Sequence, residues 1–356
     1  MNDPIEITLA KNKKPKKDPN QLTFGTYFTD HMFMMDYTPE NGWHQPRIVP
    51  YAPITLDPAA VVFHYGQAVF EGMKAYRTKD DRVLLFRPEK NMKRINLSNE
   101  RLSIPPVDEA FLVEAIKKLV TIEKDWVPKE PGTSLYIRPF IIGTEPYLGV
   151  HPSRTYMFMV ILCPVGAYYP EGINPVKIYV ESKYVRAVNG GTGHTKTSGN
   201  YAASFKAQEE AQRQGCAQVL WLDGVEKAYV EEVGSMNVFF KINGEVVTPA
   251  LNGSILAGVT RDSVIQLLKN WGIPVTERKI SMEEVYQAHA AGTLEEAFGT
   301  GTAAVISPIG GLIWKDTEMT INEGKAGALS MKLYDTITGV QNGEIDDPFG
   351  WTVEVK

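Results

Sequence analysis

A single lysine stands in the run GGTGHTKTSGNY, residues 190–201, among glycine, threonine and serine residues and just before a helical pattern. Three kinds of chemistry suit a lysine in that setting. A glycine-rich loop that ends in Lys-Thr or Lys-Ser cradles nucleotide phosphates. A lysine among small residues holds a carbonyl cofactor covalently, and a loop lysine is most simply solvated. Lys196 is therefore the first candidate functional residue.

The spacing of the glycines does not fit a nucleotide-phosphate loop. Gly190 occupies the first glycine position of that motif, but Thr195 stands where the second glycine must directly precede Lys196. A side chain at that position prevents the backbone from wrapping around a phosphate in the usual way. A nucleotide-phosphate-binding protein is therefore kept only as a remote alternative, and the decision about Lys196 depends on residues elsewhere in the chain.

Two other stretches have the features of a phosphate site without that motif. Gly258-Val259-Thr260 opens a predicted helix, whose first N–H groups and positive dipole end suit an anion. Gly299–Ala303 is a turn of small residues beside a strand, and Arg94 has a guanidinium that pairs with phosphate through two hydrogen bonds. Each of these features alone is weak, because helices begin everywhere and such turns are common.

An acidic pair and an aromatic set complete the candidates. Glu231 and Glu232 lie among apolar residues near the end of a strand-like run, where a carboxylate needs a cationic partner or an exposed strand edge. The pyridinium nitrogen of pyridoxal phosphate is such a partner. Arg138 ends another strand-like run and needs a carboxylate or solvent. The aromatic candidates are Phe28, Tyr65, Phe70, Tyr136 and Tyr168. Each of them, taken alone, is most simply a residue of the hydrophobic core.

Strand and helix patterns mix along the chain without a strict repeat, which predicts a mixed α/β (α+β) fold. Strand-like runs cover Val61–Tyr65, Arg82–Phe86, Ser134–Arg138, Thr155–Leu162, Val176–Val180 and Gln218–Leu222. Helical patterns cover Glu109–Lys124, Tyr201–Gln214 (ended by Gly215), Val259–Gly272 (with Thr260 as N-cap) and a helix from a Ser281–Glu284 capping box to about Ala291. Asn243-Gly244, between Asn237–Ile242 and Glu245–Thr248, predicts a hairpin with a type I′ turn.

A chain of 356 residues predicts two domains. The Pro- and Gly-rich stretch 164–175 is the predicted connection between an N-terminal domain, 1–163, and a larger C-terminal domain, 176–356, that carries Lys196. A net charge of −5 provides no general attraction to nucleic acid or to an anionic membrane. The basic run Lys11–Lys17 is predicted to be a solvated, frayed tail, with contact to RNA or a membrane as the alternative.

Composition also predicts the cellular compartment of the protein. Cys163 and Cys216 are too few for a disulfide framework or a zinc cluster, and their apolar surroundings indicate core residues in a reducing compartment. The first residues have no apolar core of signal-peptide length, and no stretch has the apolar length of a membrane span. We therefore expect a cytoplasmic enzyme without a metal site.

Eight stretches in the same order resemble one family. They are FTDHM (28–32), HYGQAVFEGMKAYR (64–77), LLFRPEKNMKR (84–94), LYIRP (135–139), VRAVNGGTGHTKTSGNY (185–201), EEVGSMN (231–237), LAGVTR (256–261) and FGTGTAAVISP (298–308). The resemblance is to the branched-chain amino acid aminotransferases, which are fold-type IV pyridoxal-phosphate enzymes, and it covers about residues 24–335. It implies a two-domain fold-type IV architecture with the active site at the domain interface, and a homodimer in which two subunits share each active site.

Carried over position by position, the resemblance implies roles in holding pyridoxal 5′-phosphate. Lys196 would hold the cofactor covalently and act as the catalytic base. Tyr201 would bond its phenolic oxygen, and Glu232 its pyridine nitrogen. The phosphate would be held by Arg94, Thr302 and the N–H groups of Val259 and Thr260, and the other cofactor-binding positions would be Ser235, Asn237, Leu256 and Gly258.

The same resemblance implies a site for two kinds of substrate. Thr302 and Ala303 would bind the α-carboxylate. Arg138, with Tyr65 and Tyr136, would accept the second carboxylate of glutamate. Phe28, Phe70 and Tyr168 would wall the side-chain pocket, and Arg186 would lie near its entrance. The implied reaction is reversible transfer of the amino group of L-leucine, L-isoleucine or L-valine to 2-oxoglutarate, with ping-pong kinetics.

One departure from the family separates this chain from its mammalian members. They carry a Cys-x-x-Cys redox pair at the positions that hold Ala304 and Ser307 here, so redox switching by that pair is not expected. The nearest alternatives share the fold and the cofactor: a D-amino acid aminotransferase and an aminodeoxychorismate lyase. The LYIRP stretch and the long N-terminal region favour the branched-chain enzyme. A scaffold protein with an inactive domain is disfavoured by the intact lysine and glutamate.

Overall fold

The computed structural model describes residues 3–168 and 173–356. Contacts divide the chain into two units. The first runs to Tyr168 and includes Thr195–Ser198 and Gly339–Lys356, and the second includes the chain up to His194 and Gly199–Thr338. The predicted domains 1–163 and 176–356 divide the chain only once, whereas two later segments of the chain belong to the first unit. Residues 169–172 of the predicted connection lie outside the described residues.

The first unit is built on a sheet that is antiparallel except at one edge. Its strands are β1 (Glu6–Ile7), β2 (His31–Thr38), β3 (Gly42–Pro50), β4 (Ala68–Phe70), β5 (Met73–Arg77), β6 (Val83–Phe86), β7 (Ser134–Gly143), β8 (Tyr156–Val165) and, from the C-terminal segment, β18 (Thr352–Glu354). The order is β1-β3-β2-β8-β7-β5-β6-β18, with β4 also paired to β7 and only β1 parallel to its neighbour. The pairing of β18 with β6 explains why the C-terminal segment belongs to this unit.

Helices cover one face of this sheet. These helices are α2 (Pro88–Arg101) and α3 (Glu109–Ile122). The unit also contains a short helix, α1 (Val61–Tyr65). Alternate residues of the strands, such as Phe33 and Phe158, form one fully buried cluster with Met92 of α2 and Leu112 of α3. Asp108 begins α3 by accepting a hydrogen bond from the N–H group of Phe111. Strands and a helix predicted in this region at 82–86, 134–138, 155–162 and 109–124 are confirmed.

The prediction of a strand at Val61–Tyr65 is wrong, because these residues form α1. The run of β-branched and aromatic residues favoured a strand, but Gly66 follows in the left-handed conformation, with φ +59°. Its N–H group donates to the carbonyl of Val62 at 3.1 Å and so closes a helical turn. Local capping therefore outweighed the intrinsic preference of the side chains.

The basic N-terminal run is also predicted wrongly, because it is not a frayed tail. β1 pairs with β3, and the N–H group of Ala10 donates to Nε2 of the buried His31 at 2.8 Å. The N–H group of Lys14 donates to the buried Asp30 at 2.8 Å. The segment is held because buried side chains of the first unit satisfy its backbone groups.

The second unit contains a sheet that closes on itself. Its strands are β9 (Val176–Val180), β10 (Gln218–Leu222), β11 (Val230–Val233), β12 (Met236–Ile242), β13 (Glu245–Thr248), β14 (Val275–Glu277), β15 (Leu294–Gly301), β16 (Val305–Trp314) and β17 (Thr317–Thr320). The order is β11-β10-β9-β16-β15-β12-β13-β14, with β17 on β16. Because β11 also pairs with β12, the strands β9, β10, β11, β12, β15 and β16 form a closed ring. The strands predicted at 176–180 and 218–222 are confirmed.

The remaining elements include several of the predicted turns and caps. The helices are α4 (Ser198–Ala202), α5 (Phe205–Arg213), α6 (Val259–Asn270), α7 (Met282–Ala290) and α8 (Ala328–Gln341), and 3-10 turns cover Pro19–Gln21, Lys124–Trp126 and Asn322–Gly324. The Asn243-Gly244 turn is confirmed, because both residues have positive φ, as a type I′ turn requires. Ser281 caps α7 through the N–H group of Glu284, as predicted.

Two predictions for helices need correction. The helix predicted at 201–214 is interrupted between α4 and α5, although Gly215 follows α5 with φ +71° as expected. The predicted N-cap Thr260 lies inside the first turn of α6, and Gly258 is the N-cap instead. Gly258 has extended backbone angles, φ −68° and ψ 133°, and no side chain caps the N–H groups of the following turn.

Candidate functional site

The backbone around Lys196 is fixed to the first sheet and to α2. The N–H group of Lys196 donates to Ser98 Oγ at 3.0 Å, and its carbonyl accepts from the N–H group of Phe70 at 3.0 Å. Thr197 Oγ1 donates to the carbonyl of Ala68 at 2.7 Å. Lys196 Nζ lies 4.9 Å from the centre of the Phe70 ring. The alternative of a solvated loop lysine is therefore disfavoured, because Lys196 is half-buried and its backbone is hydrogen-bonded to the first sheet and to α2.

A buried ion pair lies on the same part of the first unit. Arg94 Nε and one Nη donate to the two carboxylate oxygens of Glu71, at 2.7 and 2.8 Å. Asn91 Nδ2 donates to Glu71 at 2.8 Å. Burial alone would raise the pKa of Glu71, but Arg94, Lys196 and Asn91 together hold that pKa below its ordinary value. Glu71 therefore stays charged and fixes the orientation of the Arg94 guanidinium.

Sequence reasoning identified Arg94 and missed Glu71 and Asn91. The sequence does give a partial indication of a buried carboxylate, since Glu71 directly follows the apolar strand β4 and is followed by glycine. A carboxylate in such a place needs a buried cation. Its partner lies 23 residues further along the chain, on α2, and no sequence period connects the two positions.

Arg138, Tyr136 and Phe70 form an aromatic and cationic group in the first unit. The Arg138 guanidinium lies 4.8 Å from the Phe70 ring centre and 5.2 Å from that of Tyr136. One Nη of Arg138 donates to the Tyr136 hydroxyl at 3.1 Å. Within the described part of the chain, the buried Nε of Arg138 has no hydrogen-bond acceptor. A buried cationic donor of this kind fits an anionic ligand.

The other predicted aromatic residues have different surroundings. Phe28 stacks on Tyr51, with ring centres 5.1 Å apart and planes 6° apart, and packs against a buried cluster that contains Tyr136. Tyr65 is 44% exposed, and its hydroxyl donates to the carbonyl of Leu148. Tyr168 is about half exposed, and partial burial raises the pKa of its hydroxyl. The structure thus joins Phe28, but not Tyr65, to the Tyr136 group through described contacts.

Glu232 is the centre of a network in the second unit. One carboxylate oxygen accepts from the N–H group of Leu256 at 2.8 Å. The other lies 3.2 Å from Arg186 Nε and forms an ion pair with it. The Nε–H group of Arg186 does not point at that oxygen, so the contact is not a hydrogen bond. Asn237 Nδ2 donates to the carbonyl of Leu256 at 2.9 Å. β11 is paired on both sides, so the alternative that Glu232 lies on an exposed strand edge is excluded. Arg186, expected near the entrance, is a partner of this carboxylate.

The beginning of α6 lies beside this network. A side chain at Gly258 would collide with Asn237 Oδ1, so only glycine brings the helix start this close to Asn237. The N–H groups of Val259 and Thr260 belong to the first turn, where no helical carbonyl is available to accept from them. This part of the second unit therefore combines a buried carboxylate with a helix start that suits an anion.

The remaining predicted residues lie on turns or on α4. Thr302 and Ala303 form the turn between β15 and β16, as predicted. The neighbouring Thr300 has a buried hydroxyl without a partner among the described residues. Ser235 is exposed in the turn between β11 and β12, and Tyr201 is half-buried on α4.

No group of three or more His, Cys, Asp or Glu side chains in residues 3–168 and 173–356 is arranged to hold a metal ion. Over the same ranges, no helix has both the length and the apolar character needed to cross a bilayer.

Comparison with known proteins gives consistent matches along nearly the whole chain. The model of the family described as Amino-transferase class IV matches residues 68–311. Branched-chain-amino-acid aminotransferase 2 of Bacillus subtilis (strain 168) is 66% identical over 99% of this chain and 97% of that protein. Branched-chain-amino-acid transaminase 1 of the same strain is 62% identical over 100% of both chains.

Solved structures lead to the same family. The T.th. branched-chain amino acid aminotransferase with pyridoxamine 5′-phosphate matches with a TM-score of 0.77 and 29% identity, over 92% of this chain and 98% of that one. The branched-chain amino acid aminotransferase of Escherichia coli matches with a TM-score of 0.75 and 27% identity, over 92% and 99%. The chain therefore belongs to the class IV aminotransferases and, within them, to the branched-chain amino acid aminotransferase family.

Proposed function

We propose that this protein transfers the amino group of L-leucine, L-isoleucine or L-valine to 2-oxoglutarate, reversibly, with pyridoxal 5′-phosphate as cofactor. The observation that carries the proposal is Lys196, whose backbone is held on both sides by Ser98, Phe70 and the strand β4. A fixed backbone lets the amine move between two positions without moving the chain. The relatives at 66% and 62% identity over nearly the whole length support the substrate class.

The residues of this chain fit the cofactor. When bound, pyridoxal phosphate supplies an aldehyde that condenses with amines and a ring that accepts electrons from the substrate's α-carbon. Lys196 would hold the aldehyde carbon. Glu232 would pair with the ring nitrogen, and its carboxylate lies in an ion pair with the adjacent Arg186 guanidinium. Tyr201 would bond the phenolic oxygen.

The phosphate would be held by a cation and by backbone donors. Arg94 is fixed by Glu71, which leaves the rest of its guanidinium with a defined direction. The first N–H groups of α6, at Val259 and Thr260, suit a dianion, and Gly258 is the residue that makes this helix start accessible. The further contacts that we propose are from Ser235, Asn237, Leu256 and Thr302.

Lys196 does the proton transfer in this proposal. Its amine would take the proton from the α-carbon of the amino-acid substrate, and in the half-reaction with the 2-oxo acid it would give a proton to that carbon. The Phe70 ring, 4.9 Å from Nζ, excludes water from one side of that nitrogen. The α-carboxylate would be bound by the turn at Thr302 and Ala303, which fixes the α-carbon relative to the amine.

The pocket for the substrate side chain accepts both an apolar side chain and a side chain that ends in a carboxylate. Leucine's apolar side chain would be buried against Phe28, Phe70 and Tyr168. The second carboxylate of glutamate would pair with Arg138, whose buried Nε lacks an acceptor among the described residues, with Tyr136 and Tyr65 as further donors. One site therefore serves both half-reactions, which predicts ping-pong kinetics.

Steady-state assays with L-leucine, D-alanine and aminodeoxychorismate test the proposed substrate class. We expect turnover with L-leucine and 2-oxoglutarate, with parallel double-reciprocal lines, and little with the other two. Turnover that is faster with D-alanine or with aminodeoxychorismate than with L-leucine would overturn the proposal in favour of another enzyme of the same fold.

We also propose a homodimer in the cytoplasm. The first unit exposes large apolar side chains in two short stretches of the chain, at Phe63 and Tyr65 and at Tyr147, Leu148 and Val150. Exposed apolar groups of this size are typical of subunit interfaces. Cys163 and Cys216 are buried and free, which suits a reducing compartment. Sedimentation velocity tests the dimer, and cell fractionation tests the location.

A further inference from the structure

Lys14 directs its ammonium group and its backbone N–H group at one short stretch of the first unit. Nζ donates to the carbonyl of Thr29 at 2.9 Å and to the carbonyl of Phe28 at 3.2 Å. The same nitrogen lies 4.3 Å from the centre of the Tyr51 ring, in a cation–π contact. The N–H group of Lys14 donates to Asp30 at 2.8 Å. One residue thus binds three consecutive positions, 28 to 30, and the ring that faces them.

These contacts supply hydrogen bonds to a segment that lies outside the strands. Phe28 precedes β2 and lies in an irregular segment, so its carbonyl has no strand partner. Lys14 provides the donor for that carbonyl. On the other side, the N–H group of Thr29 donates to the carbonyl of Leu162 at 3.1 Å. The position of the Phe28 ring therefore depends on Lys14 as well as on β8.

A continuous series of contacts leads from Lys14 to Lys196 within the first unit. The Tyr51 ring lies under the ammonium and stacks on Phe28, with ring centres 5.1 Å apart. Phe28 packs on the cluster that contains Tyr136. From there the contacts already described continue through Arg138 and Phe70 to the Lys196 amine.

The segment that carries Lys14 is anchored independently on both sides. Ala10 is held by the buried His31, whose other ring nitrogen contacts the buried Glu123. Lys16 Nζ donates to the carbonyl of Asp125 at 2.7 Å. Burial lowers the pKa of Lys14, and the nearby carboxylates of Asp30 and Glu123 oppose that shift. The segment can therefore keep its place when Lys14 is changed.

We propose that Lys14 is a positioning residue for the substrate side-chain pocket. By holding the carbonyl of Phe28 and the ring of Tyr51, it fixes the Phe28 wall against which an apolar side chain is buried. This rests on the proposed function, in which Phe28 lines that pocket. The wall matters more for leucine than for glutamate, because the end of the glutamate side chain pairs with Arg138, which is held by Tyr136 and Phe70.

The test compares Lys14→Met with Lys13→Met. The first variant keeps the length of the side chain and removes its donors, and the second changes an exposed lysine on the same segment. We expect Lys14→Met to lower kcat/KM for L-leucine about tenfold and for L-glutamate less than threefold. We expect Lys13→Met to leave both unchanged and Lys14→Arg to recover most of the leucine value. Calorimetric titration with 4-methylvaleric acid should show the same tenfold loss in affinity without any turnover.

The outcomes separate this proposal from the proposed function. Equal losses for leucine and glutamate, or no loss in Lys14→Met, would overturn the role of Lys14 while wild-type activity stands. Absence of leucine turnover in the wild type would instead overturn the proposed function. If Lys14→Met does not fold, Lys14→Gln, which removes the ammonium and shortens the stem, carries the same comparison, and a leucine-selective loss supports the proposal.

Discussion

Arg94 and Glu71 form a two-point ion pair inside the first unit, with N–O distances of 2.7 and 2.8 Å and a Glu71 side chain that is fully buried. A buried carboxylate with this geometry does more than neutralise a charge. It sets the plane of the guanidinium that we propose for the cofactor phosphate, and it lies close enough to Lys196 for the two charges to interact.

Glu71→Gln tests that pair through stability. The variant leaves Arg94 buried without its counterion, so we expect the free energy of unfolding of the cofactor-free protein to fall by about 3 kcal/mol or more. Glu114→Gln, which removes an exposed partner of Lys117 at 2.8 Å, should change it by less than about 1 kcal/mol. Urea unfolding measures both, and similar losses in the two variants would contradict the role given to Glu71.

Arg138→Gln tests substrate selectivity. Removal of the charge should raise the KM for 2-oxoglutarate by about tenfold or more, because a charge-assisted pair is lost. The KM for L-leucine should change less than threefold, since its side chain carries no charge. Steady-state kinetics with each substrate varied in turn decides this, and equal effects on the two substrates would argue against Arg138 as the carboxylate partner.

Glu232→Gln tests electrostatic support of the cofactor ring. The amide keeps the shape and accepts from Leu256, but it cannot pair ionically with a ring nitrogen. We expect kcat to fall by about a hundredfold. The comparison variant is Glu226→Gln, at an exposed glutamate of the same unit, which should retain normal turnover. A Glu232→Gln variant with more than half of wild-type kcat would contradict this role.

Lys74 predicts a pH dependence of stability. Burial lowers the pKa of Lys74 to about 8 from an unfolded value of 10.5. Between these values the unfolded chain binds more protons, so the contribution of this residue to the free energy of unfolding increases as pH rises. Relative to Lys74→Met, the wild type should gain about 2 kcal/mol between pH 7 and pH 10. Parallel stability curves for the two proteins would show that the pKa is not lowered.

Local patterns predicted much of the fold, and long-range contacts account for what they missed. The Asn243-Gly244 hairpin and the Ser281 cap were predictable because the residues that determine them lie within a few positions of each other. The closing pair β11–β12 and the position of the C-terminal strand were not, because strand order is not encoded by a period. Gly66 ended a helix where side-chain preference indicated a strand.

The candidate site shows the same division. Lys196 and Glu232 were identified by their residue types and by motif resemblance. Glu71 and Lys14 were missed, since each acquires its meaning from partners that only the fold brings near. A lysine in a basic run resembles a solvated lysine until the carbonyl of Phe28 is found beside it.

The absorbance spectrum of the purified protein, recorded before and after addition of L-leucine, tests the central claim most directly. For the wild type we predict a visible band from the cofactor held by Lys196, and loss of that band when L-leucine is added. Lys196→Ala should lack both the band and the response. A wild-type protein without a visible band after incubation with pyridoxal phosphate, or with a band that L-leucine leaves unchanged, would contradict the account.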